Sequence, residues 1–342
     1  MRDIKLTRRR FLQAVGLGVL SFALPAPKPT EARLGKFIPD IPLGRVLKYA
    51  LPLYKEPDLL SPVLGHYDFD DVIRIPKVFY TETSGSKKRG WYKMAENNYV
   101  EAAWIQTVFD KPNRVADEIP QGGCLGEITV PKTPVYRADG QRILTRKFYY
   151  GSTFWILDKF KDDFGLSYYE LLDDYSGNSW YVRANAVRIV TPKELSLLSP
   201  DVAPDAKRIE LNMRDKMLRA YEYERLVFET LVTTGLKDGS TPVGRFMTNR
   251  KRPCRRMIHE PDNPYTYDLP GVPWVCYITM KGVAFHGTYW HNNWGERMSS
   301  GCINMKPTDA RWLYRWTLPH VPFEKYYEVA DYGTQVDIIW GY

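Results

Sequence analysis

The sequence has few residues of the kinds that bind metals or form disulfides. Its 342 residues include only four cysteines and five histidines. No two cysteines form a CxxC pair, so a zinc ribbon and a thioredoxin-type redox site are not expected. Cys254 and Cys276 can be paired as a disulfide, and the alternative is that they are small buried thiols.

Long apolar runs and a dominant charge are also missing. Beyond the first 26 residues, no segment is long enough to cross a bilayer as a helix. The formal net charge is +8, of which the first 26 residues hold +4. The remaining excess forms no basic stripe with interleaved aromatic residues, so nucleic-acid binding is not expected. A mild positive field would still suit an acidic polymer.

Aromatic residues, proline and glycine are plentiful. Aromatic residues make up 14% of the chain, with 24 tyrosines, 10 tryptophans, 25 prolines and 24 glycines. This composition favours short strands and turns over long helices. The length predicts two or three domains, and 44% hydrophobic with 26% charged residues predicts a globular chain.

The first residues have the pattern of an export signal. Residues 7–12 read Thr-Arg-Arg-Arg-Phe-Leu, and residues 14–26 are nearly all apolar or small. This resembles the twin-arginine signal and departs from its pattern only at Gln13. We therefore expect residues 1–32 to be a signal segment that places the protein outside the cytoplasm, or tethers it to the membrane if uncut. The alternative is an amphipathic helix with a basic end.

Two stretches, residues 45–108 and 128–190, share one layout. Each opens with Pro-aliphatic-Tyr-basic, at residues 52–55 and 134–137, and closes with Tyr-Val-x-Ala, at residues 99–102 and 181–184. The closing motif predicts a strand that enters a tight turn.

The layout resembles that of the bacterial SH3-like module, and we assign two such modules to residues 45–108 and 122–190. The resemblance implies small barrels that bind cell-wall peptides or hold an enzyme away from the wall. Two structural barrels without a ligand are the alternative. Residues 110–124 and 191–206 fit linkers.

Residues 207–341 form a third predicted domain, whose sequence pattern differs from that of the first two. Short alternating segments predict strands, and Pro307 followed by Asp309 predicts the start of a short helix. Just before it, Gly301-Cys302 places a thiol where glycine allows a sharp bend and a nearby helix start lowers the thiol pKa. His286, at the end of an apolar strand, is the candidate base.

The N–H groups of Gly301 and Cys302 are candidates for an oxyanion hole. The alternative for both side chains is a structural role, with a buried inert thiol and a histidine that only packs.

Five positions match the L,D-transpeptidase catalytic domain, the YkuD family: His286, Ser299, Gly301, Cys302 and Asn304. The stretch at residues 241–246, with its Thr-Pro-x-Gly turn, is similar as well. The resemblance covers about residues 207–320 and implies a β-sandwich with a capping loop over the cysteine, which we place at residues 249–271. It departs at Ser300, where the family usually has histidine.

The resemblance implies that Cys302 attacks the stem peptide of peptidoglycan after a diaminoacid or lysine, releases terminal D-Ala, and passes the acyl group to another stem peptide. No metal or organic cofactor is implied, and a zinc site at His286, His291 and Cys302 has no standard spacing. Gly287 and Ser300 join Gly301 as candidates for orienting the reacting groups. The candidate substrate-binding residues are Trp274, Tyr277, Tyr289, His291 and Asn304, with Arg245, Arg255, Arg256 and Arg297 as candidates for holding carboxylates.

The sequence therefore predicts a mainly β, monomeric, cell-wall-associated enzyme, with two SH3-like barrels before a YkuD-type sandwich that has a short helix and a capping loop. The expected activity is cysteine-dependent L,D-transpeptidation. An L,D-carboxypeptidase that passes the same acyl group to water is one alternative. A wall-binding protein with a weakened third domain is the other.

Overall fold

A computed structural model describes residues 42–82, 88–137, 142–258 and 267–341. The predicted signal segment, residues 1–32, lies outside this range, as does His259 in the predicted cap. Strands dominate the described residues, so the predicted mainly β class is confirmed. Within the same residues, no helix has the length and hydrophobicity needed to cross a bilayer.

The first of three regions holds eight short strands in two sheets. One sheet has the order β4-β1-β8 and the other β3-β2-β7-β6-β5, with antiparallel neighbours throughout. A 3₁₀ helix, Ala102–Trp104, joins the last two strands. The strands are β1 Leu43–Val46, β2 Leu51–Tyr54, β3 Val63–Tyr67, β4 Val72–Arg74, β5 Phe79–Glu82, β6 Lys88–Lys93, β7 Tyr99–Glu101 and β8 Ile105–Val108.

The second region forms one antiparallel sheet of seven strands, in the order β11-β10-β14-β13-β12-β9-β15. As in the first region, the Tyr-Val-x-Ala motif ends a strand and begins a 3₁₀ helix, here Ala184–Ala186. The strands are β9 Cys124–Ile128, β10 Lys132–Tyr136, β11 Arg142–Tyr149, β12 Thr153–Lys161, β13 Ser167–Leu172, β14 Ser179–Arg183 and β15 Val187–Ile189.

The two regions thus repeat the predicted strand-to-turn motif. No closed barrel is found in the residues described, and the SH3-like assignment of both regions stays a prediction.

The third region is built on an eight-stranded sheet of order β18-β17-β16-β25-β20-β21-β22-β24, beside a small parallel pair of β19 and β23. Its strands are β16 Lys207–Asn212, β17 Met217–Glu222, β18 Arg225–Leu231, β19 Thr234–Gly235, β20 Gly244–Ile258, β21 Asp268–Tyr277, β22 Ala284–Gly287, β23 Arg297–Ser299, β24 Ile303–Met305 and β25 Glu328–Ile339. Its helices are α1 Pro192–Leu195, a 3₁₀ turn Pro204–Ala206, and α2 Pro307–Trp316.

Helix α2 begins where the sequence places it. Pro307 occupies the first turn, where its missing N–H costs no hydrogen bond. Asp309 in the same turn accepts a 2.6 Å hydrogen bond from the Thr230 hydroxyl. Leu313 and Trp316 are fully buried, so one face of the helix packs into the core of the third region behind β21 and β22.

The predicted cap differs from the structure. Most of residues 249–271 belongs to the facing ends of β20 and β21, which pair antiparallel from Arg250 opposite Tyr277 to Ile258 opposite Asp268. The reason is that the backbone N–H and C=O groups of the two arms are satisfied by antiparallel pairing with each other, so the arms form strands where a loop was expected. Residues 259–266, between the arms, are outside the described range.

The hairpin pairing also explains why Cys254 and Cys276 are free thiols. Cys254 faces Pro273, whereas Cys276 faces Lys251, so the two cysteines are three positions out of register. This offset is about 10 Å along the strands, and a disulfide needs Cα atoms within about 7 Å.

One hydrophobic core spans the second and third regions. Leu125, Trp155 and Val190 pack in the same cluster as Ile209 and Phe285. The Thr153 hydroxyl also donates to the Pro253 carbonyl at 2.8 Å. The boundary predicted near residues 191–206 is therefore crossed by continuous packing.

Arg45 joins all three regions at one buried point. Its side chain is 1% exposed and donates to Asp70 at 3.0 Å, to Gln106 at 2.9–3.0 Å and to the Tyr289 carbonyl at 2.7 Å. Its guanidinium lies 4.0 Å from the ring centre of Tyr149, in the second region. Tyr289 lies in the loop that follows β22, so this contact anchors that loop to the first region.

We expect Arg45→Ala to lower the free energy of unfolding by about 3 kcal/mol, because it leaves the buried Asp70 carboxylate and Gln106 amide short of a partner. Asp70 retains Lys147 at 2.9 Å, which keeps the loss at the lower end for a buried pair. Denaturant unfolding measures the change. Arg114→Ala, in an exposed ion pair with Asp117, is the control and should shift stability by no more than about 0.5 kcal/mol. Equal effects of the two substitutions would contradict this role.

Candidate functional site

A parallel pair of short strands assembles the candidate site. β22 pairs with β24 so that His286 lies opposite Asn304 and Phe285 opposite Ile303. Side chains alternate along a strand, so His286 and Asn304 share one face, and Cys302, two residues before Asn304, projects to that face. The strand pairing therefore brings His286 and Cys302, which are sixteen residues apart in the sequence, to the same face.

His286 is held as a neutral base. Its ring is 2% exposed, and Nδ1 lies 3.1 Å from the carbonyl oxygen of Gly287. A carbonyl can only accept, so Nδ1 carries the ring proton and Nε2 presents a lone pair. Burial lowers the pKa of His286 to about 4, against the weaker opposing effect of the Gly287 carbonyl.

Gly287 is needed for its size. A Cβ at this position would lie 2.8 Å from the Pro273 ring and 3.1 Å from the Cα of Pro307. The close approach sets the end of β22 against the start of α2, and fixes the carbonyl that orients the His286 ring. The predicted orienting role of Gly287 thus has a concrete geometry.

Cys302 is partly exposed, and its sulfur is 3.7 Å from the Gly282 carbonyl oxygen. Burial raises the pKa of the thiol above its ordinary value, and the backbone N–H of Ala284 lowers it by less. The prediction that a helix start lowers this pKa is therefore wrong for the resting protein. The physical reason is that burial disfavours the charged thiolate, and this outweighs the stabilisation that the Ala284 N–H supplies.

Gly301 bends the chain just before the thiol. Its φ is +142°, and a Cβ would come within 2.6 Å of the Ser240 carbonyl oxygen. Its N–H donates to the Ser299 hydroxyl at 3.1 Å, and that hydroxyl donates to the Cys302 carbonyl at 2.6 Å. The N–H of Gly301 is therefore used inside the turn. This corrects its predicted place in an oxyanion hole and leaves the N–H of Cys302 as the predicted backbone donor.

His291 and Asn304 form a buried pair beside His286. Nδ1 of His291 accepts from the Asn293 N–H at 3.3 Å, so its proton lies on Nε2, which is 2.9 Å from the Asn304 amide. The amide must then present its oxygen to this ring, which gives a partner to an otherwise unpaired buried Oδ1. Burial lowers the pKa of His291 to about 3, so this ring is neutral too.

Two cavities meet at Cys302. The histidine cavity has a volume of about 260 Å³ and is lined by His286, His291, Trp290, Ser300 and Trp104 among others. The arginine cavity, of about 410 Å³, has five cationic residues on its described walls: Arg250, Arg252, Arg255, Arg256 and Lys281. Cys302, Met257 and Tyr267 line both cavities. A thiol at such a junction can be reached from two sides.

The predicted substrate-binding residues divide. Tyr277 lines the arginine cavity, and His291 and Asn304 line the histidine cavity. Trp274 does not line a groove, because it is 2% exposed and packs against Tyr314 in the core. Tyr289 is also buried, and its hydroxyl donates to the Pro270 carbonyl at 2.6 Å. Its backbone carbonyl accepts from Arg45, so Tyr289 helps to connect the regions and does not line either cavity.

Two of the four predicted arginines line the arginine cavity, and two do not. Arg255 and Arg256 line the cavity, whereas Arg245 pairs with Asp337 and Arg297 with Asp238.

Several residues at the site were not predicted from the sequence, among them Trp104, Arg250, Tyr267 and Trp290. Trp290 lies near His286, with ring centres 5.8 Å apart. Tyr267 hydrogen-bonds through its hydroxyl to exposed Ser300, and its pKa is raised by burial and by nearby Cys302. The signal for Arg250 was its alternation with Arg252 along β20. Trp104 had no local signal, because its position depends on how the first region docks.

That docking is direct. Asn292, in the loop between His286 and Cys302, donates its backbone N–H to the Ala103 carbonyl at 2.8 Å and its side-chain amide to the Ile105 carbonyl. The first region thus supplies both a wall of the histidine cavity and an anchor for its loop. Within the described ranges, no three His, Cys, Asp or Glu side chains are grouped to hold a metal ion.

Comparison with known proteins identifies the third region. Residues 206–338 match the family model of YkuD, the L,D-transpeptidase catalytic domain. A Bacillus licheniformis protein assigned as L,D-transpeptidase YkuD is 29% identical over 112 residues, which is 33% of this chain. The chain covers 59% of that relative's length.

Solved structures include the catalytic domain of an Enterococcus faecium L,D-transpeptidase, 23% identical, with a TM-score of 0.31 over 40% of this chain and 98% of that one. Another is an L,D-transpeptidase from Mycobacterium smegmatis, 16% identical, with a TM-score of 0.33 over 48% of this chain and 74% of that one.

The third region therefore combines a family match with a cysteine and a histidine beside one strand pair. Residues 206–338 are an L,D-transpeptidase catalytic domain of the YkuD family.

The lowered pKa values of His286 and His291 make stability depend on pH. Each ring takes up a proton below about pH 6.5 when unfolded but only near pH 4 or 3 when folded, so unfolding is favoured as pH falls through this window. We expect each histidine to contribute a loss of roughly 1.4 kcal/mol per pH unit between pH 6 and 4.5.

Denaturant unfolding at several pH values measures this slope. His286→Asn, which keeps a donor for the Gly287 carbonyl, should reduce it by about half. Exposed His66→Gln is the control and should leave it unchanged. A slope that is the same in His286→Asn and in the wild type would contradict the assignment of a neutral buried ring.

Proposed function

We propose that this protein is a peptidoglycan L,D-transpeptidase that forms a thioester at Cys302. The observation that carries the proposal is the neutral His286, fixed by the Gly287 carbonyl on the strand beside a partly exposed thiol. The orientation leaves Nε2 free of the Gly287 contact and suited to take the thiol proton. Membership of residues 206–338 in the family supports the choice of substrate.

In the first half-reaction, the sulfur of Cys302 attacks the carbonyl carbon of the bond between a diaminoacid and terminal D-Ala in a donor stem peptide. Nε2 of His286 takes the thiol proton as the C–S bond forms. The tetrahedral intermediate then collapses, the C–N bond breaks, and His286 returns the proton to the departing amine of D-Ala. A thioester remains on Cys302.

In the second half-reaction, the amine of an acceptor stem peptide attacks the thioester. His286 takes a proton from that amine, the new C–N bond forms and the C–S bond breaks. The sulfur leaves as thiolate and recovers its proton from His286. The two cavities that meet at Cys302 suit this sequence, because the donor and the acceptor can approach from different sides.

Burial determines the stage of the reaction at which His286 and Cys302 become charged. It lowers the pKa of His286 and raises that of Cys302, so both groups are neutral at rest. Thiolate and imidazolium character then develop only during attack. The cations that line one cavity with Cys302, and the predicted N–H donor of Cys302, would stabilise the negative charge at that moment.

Loss of the family's usual histidine at Ser300 is compatible with this scheme. Ser300 is exposed and hydrogen-bonds to Tyr267, so it helps hold a residue that lines both cavities. The charge of an imidazole at this position is not required for proton transfer by His286.

We expect intact-mass analysis to show a single covalent adduct when the protein is mixed with a carbapenem or with a tetrapeptide stem. Cys302→Ala should abolish the adduct entirely. Cys124→Ala, which removes a fully buried thiol of the second region, is the matched control and should retain it. An adduct that survives in Cys302→Ala, or its absence from the wild type, would contradict the proposal and favour a wall-binding protein.

Product analysis with purified muropeptides separates transfer from trimming. Cross-linked dimers are expected from a transpeptidase. Tripeptides alone would indicate the carboxypeptidase, in which water attacks the same thioester.

We further propose that the protein works outside the cytoplasm, exported by the twin-arginine route, and that its first two regions hold it at the wall as a monomer. Arg8→Lys combined with Arg9→Lys should retain the precursor in the cytoplasm, as measured by fractionation. Arg10→Lys, at the variable position of the motif, is the control and should be exported normally. Export of the double variant would contradict this route.

A further inference from the structure

The arginine cavity has an excess of positive charge. Its described walls carry five cations, Arg250, Arg252, Arg255, Arg256 and Lys281, and no acidic residue. Three carboxylates pair with some of these cations from outside the wall. Asp174 accepts from Arg252 and Arg255, while Asp173 and Asp268 accept from Arg256.

One buried carboxylate is thus shared by two guanidinium groups. The side chain of Asp174 is 7% exposed and lies 3.3 Å from Arg252 and 3.0 Å from Arg255. It also accepts the backbone N–H of Arg256 at 2.8 Å. This sharing fixes the cations in place without neutralising all of them, so the positive field of the cavity persists.

Arg250 has no ion pair within the described residues. Its guanidinium lies 4.8 Å from the ring centre of Tyr277 and donates to the Thr279 carbonyl at 2.6 Å. Its Nε is buried and has no hydrogen-bond partner. A guanidinium in this state retains donor capacity for a carboxylate ligand.

Strand geometry directs the free cation toward the thiol. Arg250 and Arg252 alternate with Lys251 on β20, and Lys251 points the other way into the core, where its ammonium donates to the Tyr314 and Thr317 carbonyls. Arg250 and Arg252 therefore share the face that lines the cavity, together with Cys302 and Gly282. The ligand group would lie close to the reacting sulfur.

We propose that the arginine cavity binds the terminal α-carboxylate of the donor peptide, with Arg250 as its principal partner. The inference rests on the proposed function. In a donor that ends in D-Ala, this carboxylate is separated from the scissile carbonyl by only the amide nitrogen and one Cα. An anchor for it beside Cys302 would therefore position the carbonyl for attack, and would select donors that end at the residue to be released.

Binding to the Cys302→Ala variant tests the subsite without any reaction. Calorimetry compares a tetrapeptide stem that has a free terminal carboxylate with the same peptide as its carboxamide. We expect the acid to bind roughly ten- to a hundred-fold more tightly, as for a charge-assisted hydrogen bond. Adding Arg250→Met should remove this preference, and Arg250→Lys should restore part of it.

Arg245→Met is the matched control. Arg245 lies on the same strand as Arg250, but it pairs with Asp337 and does not line the arginine cavity. It should keep the full preference for the acid. Equal affinities for acid and amide, or a preference that survives Arg250→Met, would overturn the subsite.

The same peptides separate this inference from the proposed function. If the wild type forms the Cys302 adduct with a carbapenem but acylates with the acid and the amide at equal rates, the subsite is wrong and the activity stands. If no adduct forms with any reagent while the binding preference is present and depends on Arg250, the activity is wrong and the subsite stands.

Discussion

The parallel pairing of β22 with β24 is the constraint on which the rest of the site depends. It places His286 opposite Asn304 and sends Cys302 to the same face, although sixteen residues separate the two reacting groups. Gly287, at the end of β22, has room for no side chain between Pro273 and Pro307, and its carbonyl fixes the tautomer of His286. One strand pair thus sets the position, the protonation and the direction of the candidate base.

The surrounding regions complete the cavities that this strand pair opens. The first region contributes Trp104 and holds the loop after β22 through Ala103, Ile105 and the buried Arg45. The second contributes Tyr175 to the arginine cavity, and its Asp174 holds two of the arginines. Because these contacts are buried and shared, the first two regions form part of the walls of both cavities.

The sequence predicted the chemistry better than its surroundings. The candidate pair of His286 and Cys302 came from the resemblance to a known family, since the residues alone equally allowed a structural role. Pro307 with Asp309 marked the helix, because that signal is local. The pKa of Cys302, the use of the Gly301 N–H and the burial of Trp274 and Tyr289 depend on which elements pack above them. The place of Trp104 depends on docking between regions, which no local pattern encodes. The alternation of Arg250 with Arg252 is a local pattern, but the cavity that these residues line depends on strand register. The paired layout of the first two regions was visible in repeated motifs, but not their sheet order.

The central claim is that the thiol of Cys302 is protonated at rest and that His286 removes its proton only during attack. Thiolate absorbance, titrated against pH as the difference between the wild type and Cys302→Ala, measures this directly. We expect one step with a midpoint above that of an unperturbed thiol, because burial raises the pKa of Cys302. A thiolate already formed below pH 7 would mean a resting ion pair with His286, and would contradict it.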